Sequence, residues 1–540
     1  MGILSWVCKK RSLFLGVSMI LCIFMFSGCA NHGETKKNNK GTLYIGMTNA
    51  PDSFNPLFNP GIAGRFAIRF MYDTLLGMPE PNEFTPQLAE SINTEDNQNF
   101  IIKLNPNAKW TDGQPVTAQD VVYTFNLIAN PTVETTKGTY IKMLEGLDDK
   151  GQLTAGNQIP DLIAKDEHTV AFKTKVPVDP NYIKSMLGFE VYIIPKHVFE
   201  NIQPETISNS EAVKNPMVTS GPFKFVKYAT NDYVEYAANT DYYKGTPKLK
   251  KIFLRIMNGT NLVTELKSGN IQMAAGGSIG IVPVKDLEIL QNDKKLVVKS
   301  APSNSVQFLE VNNSNPMFNV KFRRAITMAI NREKIIDQLY KGNAHMVPTL
   351  YTSISPVYNK NLQPLRYDPV KAKQELAESG FDISKELTLQ VPLGNVLREQ
   401  SADLIQQDLK GIGINVKQQK LDFPTVLSNG RKGNYELMLM SYVPSVEPDY
   451  SAYFTPGNSS NYSQTNDPKL TDMFVKALAM TSLTERRMAY SAIQEFLNEQ
   501  QFLTTLCAPD DIIAQSKELN GGIKDFWEGS LDDLHEWSLK

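Results

Sequence analysis

The pattern of apolar and polar positions alternates between strand-like and helix-like segments after residue 41. Leu43 to Met47 predicts a short strand, and residues 65–77 predict a helix. Residues 401–411 carry apolar side chains at helical spacing, and residues 435–441 are almost wholly apolar, which is typical of a buried strand. Because helices and strands keep alternating from about residue 306 to 499, the pattern predicts α/β architecture there.

Two helix starts can be read from their capping residues. Thr117 precedes an apolar periodic segment, and Asp120 stands three residues later, which is close to a capping box with Asp in place of Glu or Gln. Asp368 followed by Pro369 predicts a second start, and Gly380 predicts the end of that helix. These local signals fix helix positions more firmly than periodicity alone.

The N-terminal segment has the composition of an export signal. Three basic residues, Lys9 to Arg11, precede an apolar run from Leu13 to Phe26, which is shorter than the roughly 20 residues of a membrane-spanning helix. Small residues and Cys29 follow, and this end resembles a bacterial lipobox. We predict a signal peptide over 1–28, lipidation of Cys29 and a flexible tether over 29–40. An ordinary cleaved signal and an uncleaved N-terminal anchor are the alternatives.

Composition limits the number of domains and the possible classes of protein. The chain has 540 residues, which is too many for one hydrophobic core, so two or three domains are expected. Removing residues 1–28, which hold three basic and no acidic residues, leaves 52 basic and 57 acidic residues and a formal charge of −5. That balance offers no basic surface for nucleic acid. Of the four cysteines only Cys507 remains free after processing, and its apolar neighbours predict a buried, inert thiol.

Few residues suggest enzyme chemistry. The five histidines lie far apart from one another, so their spacing predicts no metal site. The sequence has no GxxxxGK(S/T) or GxGxxG loop, so no cofactor is expected. Gly276 to Gly280 matches the G-x-S-x-G pattern of a nucleophile elbow around Ser278. An elbow needs a helix directly after the serine, and Pro283 opposes one. A secreted serine hydrolase using Ser278 is therefore the alternative of another class, and we expect no enzyme activity.

Several motifs resemble the family 5 extracellular solute-binding proteins, which serve ABC importers. The motifs follow the family's order along nearly the whole chain after the signal segment: LAESI with FIIKLNPNAKWTDGQPVTAQDVVYTF, then TSGPFK, NTDYYKG, LKSGNI, FRRAI, AINR and YDP. The resemblance implies a type II periplasmic-binding-protein-like α/β fold, with two jaws, a hinge and a small extra lobe. It places lobe I at 41–75, 170–305 and 500–540, lobe II at 76–169, and lobe III at 306–499.

The resemblance also implies where a ligand is held. Peptide binding without side-chain specificity needs main-chain partners on both jaws. By resemblance these are the loop Thr48, Asn49 and Ala50 in lobe I, and Ser441, Tyr442 and Val443 in lobe III, with Asn461 as a further polar contact. For each residue, simple packing is an equally good interpretation.

One departure from the family concerns the ligand's amino terminus. Di- and oligopeptide binders carry an Asp a few residues before an EP or DP step, and this chain has Val443, Pro444 and Ser445 there. Glu447 and Asp449 flank Pro448 just afterwards. Either Asp449 replaces the missing acid, or the ligand's end is held without a salt bridge and Asp449 is an exposed loop residue.

The function implied by the resemblance is that of a substrate-binding lipoprotein of an ABC importer. It is expected to capture short peptides outside the cell, deliver them to permease subunits, remain a monomer and stay attached to the cell membrane through its lipid. The same scaffold binding a nickel chelate, an opine, haem or a signalling peptide is the alternative. The family alone does not fix the ligand.

Overall fold

Three β-sheets organise the chain and define its lobes. The computed structural model describes residues 41–58, 61–458 and 460–540. The predicted signal peptide, Cys29 and the tether lie outside these residues. We name the three units the seven-stranded, four-stranded and six-stranded lobes after their sheets.

The seven-stranded lobe is built around the strand Thr42–Met47, which pairs in parallel with two neighbours. Leu43, Ile45 and Met47 are fully buried in it. The strand order across the sheet is Leu296–Ala301, Asp511–Ser516, Met273–Ala274, Thr42–Met47, Lys251–Ile256, Tyr233–Ala238 and Phe223–Ala229. Helices belonging to the segments of this lobe are Ile62–Ile68, Gly259–Ser268 and Leu287–Gln291, with short 3-10 turns at Val284–Asp286, Trp527–Gly529 and Leu534–Glu536. The strand pair Leu519–Asn520 and Ser538–Leu539 lies near the C-terminus.

The four-stranded lobe is antiparallel and packs against helices. Its strand order is Ala89–Thr94, Asn99–Leu104, Thr169–Lys173 and Ile163–Asp166, and the hairpin Leu76–Glu80 with Glu83–Pro86 precedes it. The helical segments are Ala118–Ala129, Gly138–Ile141, Pro180–Ile183, Lys184–Phe189, Lys196–Phe199, Pro204–Asn209 and Glu211–Lys214. Its apolar core extends to Val213. The segment 170–213, expected in lobe I, therefore packs with this lobe instead.

The six-stranded lobe is the α/β layer that the sequence predicts. Its strand order is Ala344–His345, Leu503–Pro509, Val306–Val311, Leu437–Tyr442, Glu386–Pro392 and Asn415–Leu421. The helices are Val320–Ala329, Arg332–Leu339, Pro369–Ser379, Val396–Gly411, Phe423–Lys432, Pro468–Leu478 and Leu483–Gln500, with a 3-10 turn at Ser451–Tyr453. Two apolar clusters cover the two faces of this sheet. Cys507 lies in one of them, fully buried, and burial raises the pKa of its thiol to about 12.

The chain passes twice between the seven-stranded and six-stranded sheets. One passage follows Leu296–Ala301 and leads into Val306–Val311, as expected near residue 305. The other lies between Leu503–Pro509 and Asp511–Ser516. It falls about ten residues after the expected boundary at 500, because Leu503–Pro509 pairs with Val306–Val311. The two passages run side by side, since Ala301 pairs with Asp511.

Local capping signals agree with the structure more closely than periodicity does. The Thr117 backbone N–H donates to Asp120 at 2.8 Å, within a capping box. Asp368 caps the helix Pro369–Ser379, which ends at Gly380 in the left-handed region, φ 73°. The helix predicted over 65–77 was placed wrongly, because the structure has Ile62–Ile68 followed by a turn. Phe70, Met71 and Tyr72 continue the apolar pattern but are buried outside any helix.

Candidate ligand-binding cleft

The predicted ligand-binding segment of the six-stranded lobe lies at the sheet edge that is next to the two passages. Glu386–Pro392 runs parallel to both Asn415–Leu421 and Leu437–Tyr442, so these three strands end on one edge. Tyr442 pairs with Val306, the first residue after a passage, which places that edge at the junction of the two lobes. Ligands of open α/β sheets bind outside the carboxyl ends of the strands.

The predicted loop of the seven-stranded lobe follows the end of its central strand. Both the backbone N–H and the hydroxyl of Thr48 donate to the Ile279 carbonyl, at 2.6 and 3.0 Å. The Thr48 hydroxyl also lies 3.0 Å from the Asn49 side-chain oxygen. Asn49 is exposed and Ala50 is half-buried. The loop is thus fixed to its own lobe while the Asn49 side chain stays accessible.

The predicted segment of the six-stranded lobe presents an unpaired strand edge. The parallel register with Glu386–Pro392 covers only Leu437 and Met438, although pairing with Val306–Val311 continues to Tyr442. Beyond Met438, the outer main-chain groups of this strand therefore have no ladder partner among the described residues. Val443 follows with 46% of its surface exposed. Such an edge can accept main-chain hydrogen bonds from an extended ligand.

Side chains at this edge contact two ionisable residues that sequence reasoning missed. Arg398 donates to the Ser441 hydroxyl at 3.3 Å, and its buried Nε has no hydrogen-bond partner among the described residues. Burial lowers the pKa of Arg398. The Tyr442 hydroxyl donates to Glu310 at 3.3 Å, and the Tyr442 ring stacks on Tyr453 with centroids 4.6 Å apart.

Glu310 is a buried acid within an apolar strand. Its side chain is 1% exposed, and Oε2 has no hydrogen-bond partner in the described part of the chain. Burial raises the pKa of Glu310 to about 8, although the hydrogen bond from Tyr442 opposes the rise. Near neutral pH this carboxyl is therefore largely protonated. No sequence signal pointed to it beyond a single acid in an apolar run.

The two acids beside Pro448 are already engaged inside the protein. Asp449 pairs with Lys142 of the four-stranded lobe at 3.3 Å. Burial alone would raise the pKa of Asp449, but Lys142 and hydrogen bonds involving Ser451 outweigh burial and lower it. Asp449 is therefore neither an exposed loop acid nor an acid without a partner.

Glu447 is buried and belongs to a three-residue ionic cluster. Arg486 contacts the Glu447 carboxylate directly and lies 3.2 Å from Asp179. All three side chains are at most 4% exposed. Arg486 and Glu447 belong to the six-stranded lobe, whereas Asp179 caps a helix packed in the four-stranded lobe. The cluster and the Lys142–Asp449 pair thus join these two lobes through the loop 444–450.

The Asn461 side chain bonds within its own turn, accepting from the Thr465 N–H at 3.0 Å and donating to the Thr465 carbonyl at 2.8 Å. The ring centroid of the next residue, Tyr462, lies 6.0 Å from that of Tyr442. The neighbouring Ser463 accepts from Asn313, which follows the far end of Val306–Val311. Asn461 also lines a cavity of about 390 Å³ beside Arg431. The structure therefore brings the segments 48–50 and 441–443 to the lobe junction, while the Asn461 amide is engaged within its own turn.

A further set of charged groups lies in the seven-stranded and four-stranded lobes. Arg65 pairs with Glu528 at 2.7 Å, and Glu528 raises the pKa of Arg65. Lys137 is 1% exposed, donates to the Glu190 carbonyl at 2.9 Å and lies 5.0 Å from the Tyr140 ring centroid. Burial lowers the pKa of Lys137 to about 8. Arg69 extends the set by pairing with Asp532 at 3.0 Å.

The Ser278 motif lacks the surroundings of a nucleophile elbow. Gly276, Gly277 and Ser278 have φ of 67°, 52° and 62°, which makes a left-handed turn. The next helical element in the chain is the short 3-10 turn Val284–Asp286. Ser278 is exposed, and among the described residues no histidine or acid hydrogen-bonds to its hydroxyl. The motif is a glycine-rich turn packed on Trp527.

No helix among the described residues has the length and apolar character needed to cross a membrane. No cluster of three or more potential metal-binding side chains occurs in that part of the chain.

Two adjacent passages join the two α/β lobes, and loops meet at the junction of these lobes. This arrangement defines the class of solute-binding proteins with a type II two-lobed fold. The chain belongs to the bacterial extracellular solute-binding proteins, family 5, whose middle part matches residues 83–464.

Individual relatives cover nearly the whole chain. The oligopeptide-binding protein AppA of Bacillus subtilis is 26% identical over 98% of this chain and 99% of its own length. A putative ABC transporter peptide-binding protein of Brucella ovis is 27% identical, covering 85% of this chain and 86% of that protein. The crystal structure of the ABC transporter substrate-binding protein CtaP from Listeria monocytogenes has a TM-score of 0.80 and 27% identity, over 93% of this chain and 99% of that one. AppA in complex with a nonapeptide has a TM-score of 0.79 at 24% identity, over 93% and 99%, and shows the shared fold.

Proposed function

We infer that this protein captures short peptides outside the cytoplasm and delivers them to the permease of an ABC importer. The observation that carries this inference is the unpaired strand edge beyond Met438, at the junction of the two α/β lobes. An extended peptide can add to such an edge through its main chain, whatever its side chains are. The names of the relatives AppA and the Brucella ovis protein support peptides as the ligand class.

A positive charge without an acidic partner among the described residues suits a ligand that carries a carboxylate. The Arg398 side chain has no acidic partner among the described residues and donates to the Ser441 hydroxyl, so it is available to a carboxylate. Ser441 and Tyr442 on one jaw, and Thr48, Asn49 and Ala50 on the other, supply main-chain and side-chain contacts. Asp449 contributes indirectly, because its ion pair with Lys142 holds the loop in place. Asn461 contributes through the hydrogen bond that fixes its own turn.

Movement of the jaws accompanies capture. Two adjacent passages form a hinge about which the six-stranded lobe rotates against the seven-stranded one. Closure brings surfaces of both lobes together for recognition by the permease subunits. The protein acts as a monomer, because the site is built from the lobes of one chain.

Attachment to the membrane is the remaining part of the proposal. Cys29 follows an apolar run and precedes a polar segment, as in a lipobox. A single acyl chain gives only marginal binding, whereas two hold a protein firmly at a membrane. A diacylglyceryl group on Cys29 would keep the protein on the outer face of the cell membrane, with residues 29–40 as the tether.

Native mass spectrometry of the purified protein tests peptide capture. We expect co-purified masses that disappear on partial unfolding and refolding and that fragment as peptides. The Ser278→Ala variant should carry the same masses, because the glycine-rich turn is not part of the site. A protein that carries no ligand and gains no mass with added peptides would contradict the proposal, whereas labelling of Ser278 by a serine-reactive phosphonate would favour a hydrolase.

A further inference from the structure

Asp511 stands at the point where the chain re-enters the seven-stranded sheet. It is the first residue of the strand Asp511–Ser516 and pairs with Ala301, the last residue of its neighbour. Asn304, three residues after Ala301, donates to the carbonyls of Pro444 and Ser445 at 2.6 and 3.0 Å. Asp511 therefore lies on the hinge, at a position that both jaws approach.

The Asp511 carboxylate forms no hydrogen bond or ion pair within the described part of the chain, although it is only partly exposed. Its neighbour Asp510 accepts from Ser300 at 2.7 Å and pairs with His345 at 3.0 Å. Burial, and then the charges of Glu528 and Asp510, raise the pKa of Asp511 to about 7. Removing a carboxylate from water without a partner is costly.

Three other acids near the junction are already paired: Asp449 with Lys142, Glu447 with Arg486, and Glu528 with Arg65. Glu310 is buried and accepts a hydrogen bond from Tyr442. A peptide brings a primary ammonium group, either at its amino terminus or on a lysine side chain. An ammonium group beside Asp511 would stabilise the charged carboxylate and remove the cost of leaving it unpaired.

We propose that Asp511 is a specificity-determining residue that binds a primary ammonium group of the ligand at the hinge. The inference rests on the proposed capture of peptides. It adds that the hinge recognises an ammonium group of the peptide. A ligand held on this strand also lies against both passages. Binding of the ligand's ammonium group is therefore linked to the angle between the two jaws.

Competition binding with three synthetic libraries tests the assignment. The first is a lysine-free random peptide library with free amino termini, the second is the same library N-acetylated, and the third is N-acetylated with one lysine per peptide. The wild type should bind the first at least about tenfold more tightly than the second, which is the effect of one charge-assisted hydrogen bond of about 1.4 kcal/mol. Asp511→Asn should reduce this ratio to near one.

Asp510→Asn is the matched control, since it makes the same chemical change one residue away on a carboxylate that already has partners. It should keep the wild-type ratio. If the third library regains affinity in the wild type and not in Asp511→Asn, a lysine side chain also serves; if it does not, the amino terminus alone is selected. An unchanged preference in Asp511→Asn overturns the inference while leaving peptide capture intact. Failure of the wild type to bind any library instead overturns the proposed function.

Discussion

Replacing Glu310 by Gln should change the pH dependence of stability. The acid is 1% exposed, and burial raises its pKa to about 8 from an ordinary value near 4.5. Between these two values the folded state holds a proton that the unfolded chain has released. The contribution of protonated Glu310 to the free energy of unfolding is therefore fully present below about pH 4.5 and falls as the pH rises towards 8.

The magnitude follows from the size of the shift. One pKa unit corresponds to about 1.4 kcal/mol, so ionising Glu310 should cost about 3–4 kcal/mol between pH 5 and pH 8. Glutamine has nearly the same shape and keeps a hydrogen-bond acceptor for Tyr442, but it does not ionise. The Glu310→Gln variant should gain stability relative to the wild type by about this amount over that range.

Urea unfolding of both proteins at several pH values between 5 and 8 measures the difference. Glu386→Gln, at an exposed acid that begins a strand of the same sheet, is the control and should give a flat difference. A difference between Glu310→Gln and the wild type that stays constant across the range would refute the reasoning. It would mean that Glu310 keeps its charge state inside the folded lobe.

Two further predictions concern the junction and the membrane anchor. Arg486→Met should lower the free energy of unfolding by about 3–5 kcal/mol, because it leaves two buried carboxylates without their cation, whereas Arg487→Met at the exposed neighbouring position should cost less than about 0.5 kcal/mol. Equal losses in urea unfolding would show that the buried cluster contributes little. Cys29→Ser should leave the protein in the growth medium or as an uncleaved precursor, and a variant that stays with the membrane at its mature mass would rule out lipid attachment at Cys29.

Much of the fold could be predicted because its signals are local. Thr117 and Asp120 lie three residues apart and cap a helix as expected, and Asp368, Pro369 and Gly380 bound another. The alternation of helices and strands after residue 306 predicted the α/β layer that the six-stranded sheet and its helices form. The apolar neighbours of Cys507 predicted a buried thiol, and the thiol is fully buried.

The rest depends on contacts between distant residues. The passage at 510 is set by pairing between Leu503–Pro509 and Val306–Val311, almost 200 positions apart, which no local pattern encodes. Likewise Asp449 is paired with Lys142 across 307 positions, so its partner could not be read from the loop around it. Glu310 and Asp511 stand out only because of what surrounds them after folding.

Thermal unfolding of the purified protein with different ligands tests the central claim most directly. A ligand that binds only the folded state raises stability by RT ln(1 + [L]/Kd), about 2.7 kcal/mol at one hundred times Kd. We expect a rise in Tm with a random library of short peptides and none with nickel–histidine. A Tm that does not change with peptides but rises with nickel–histidine would contradict it.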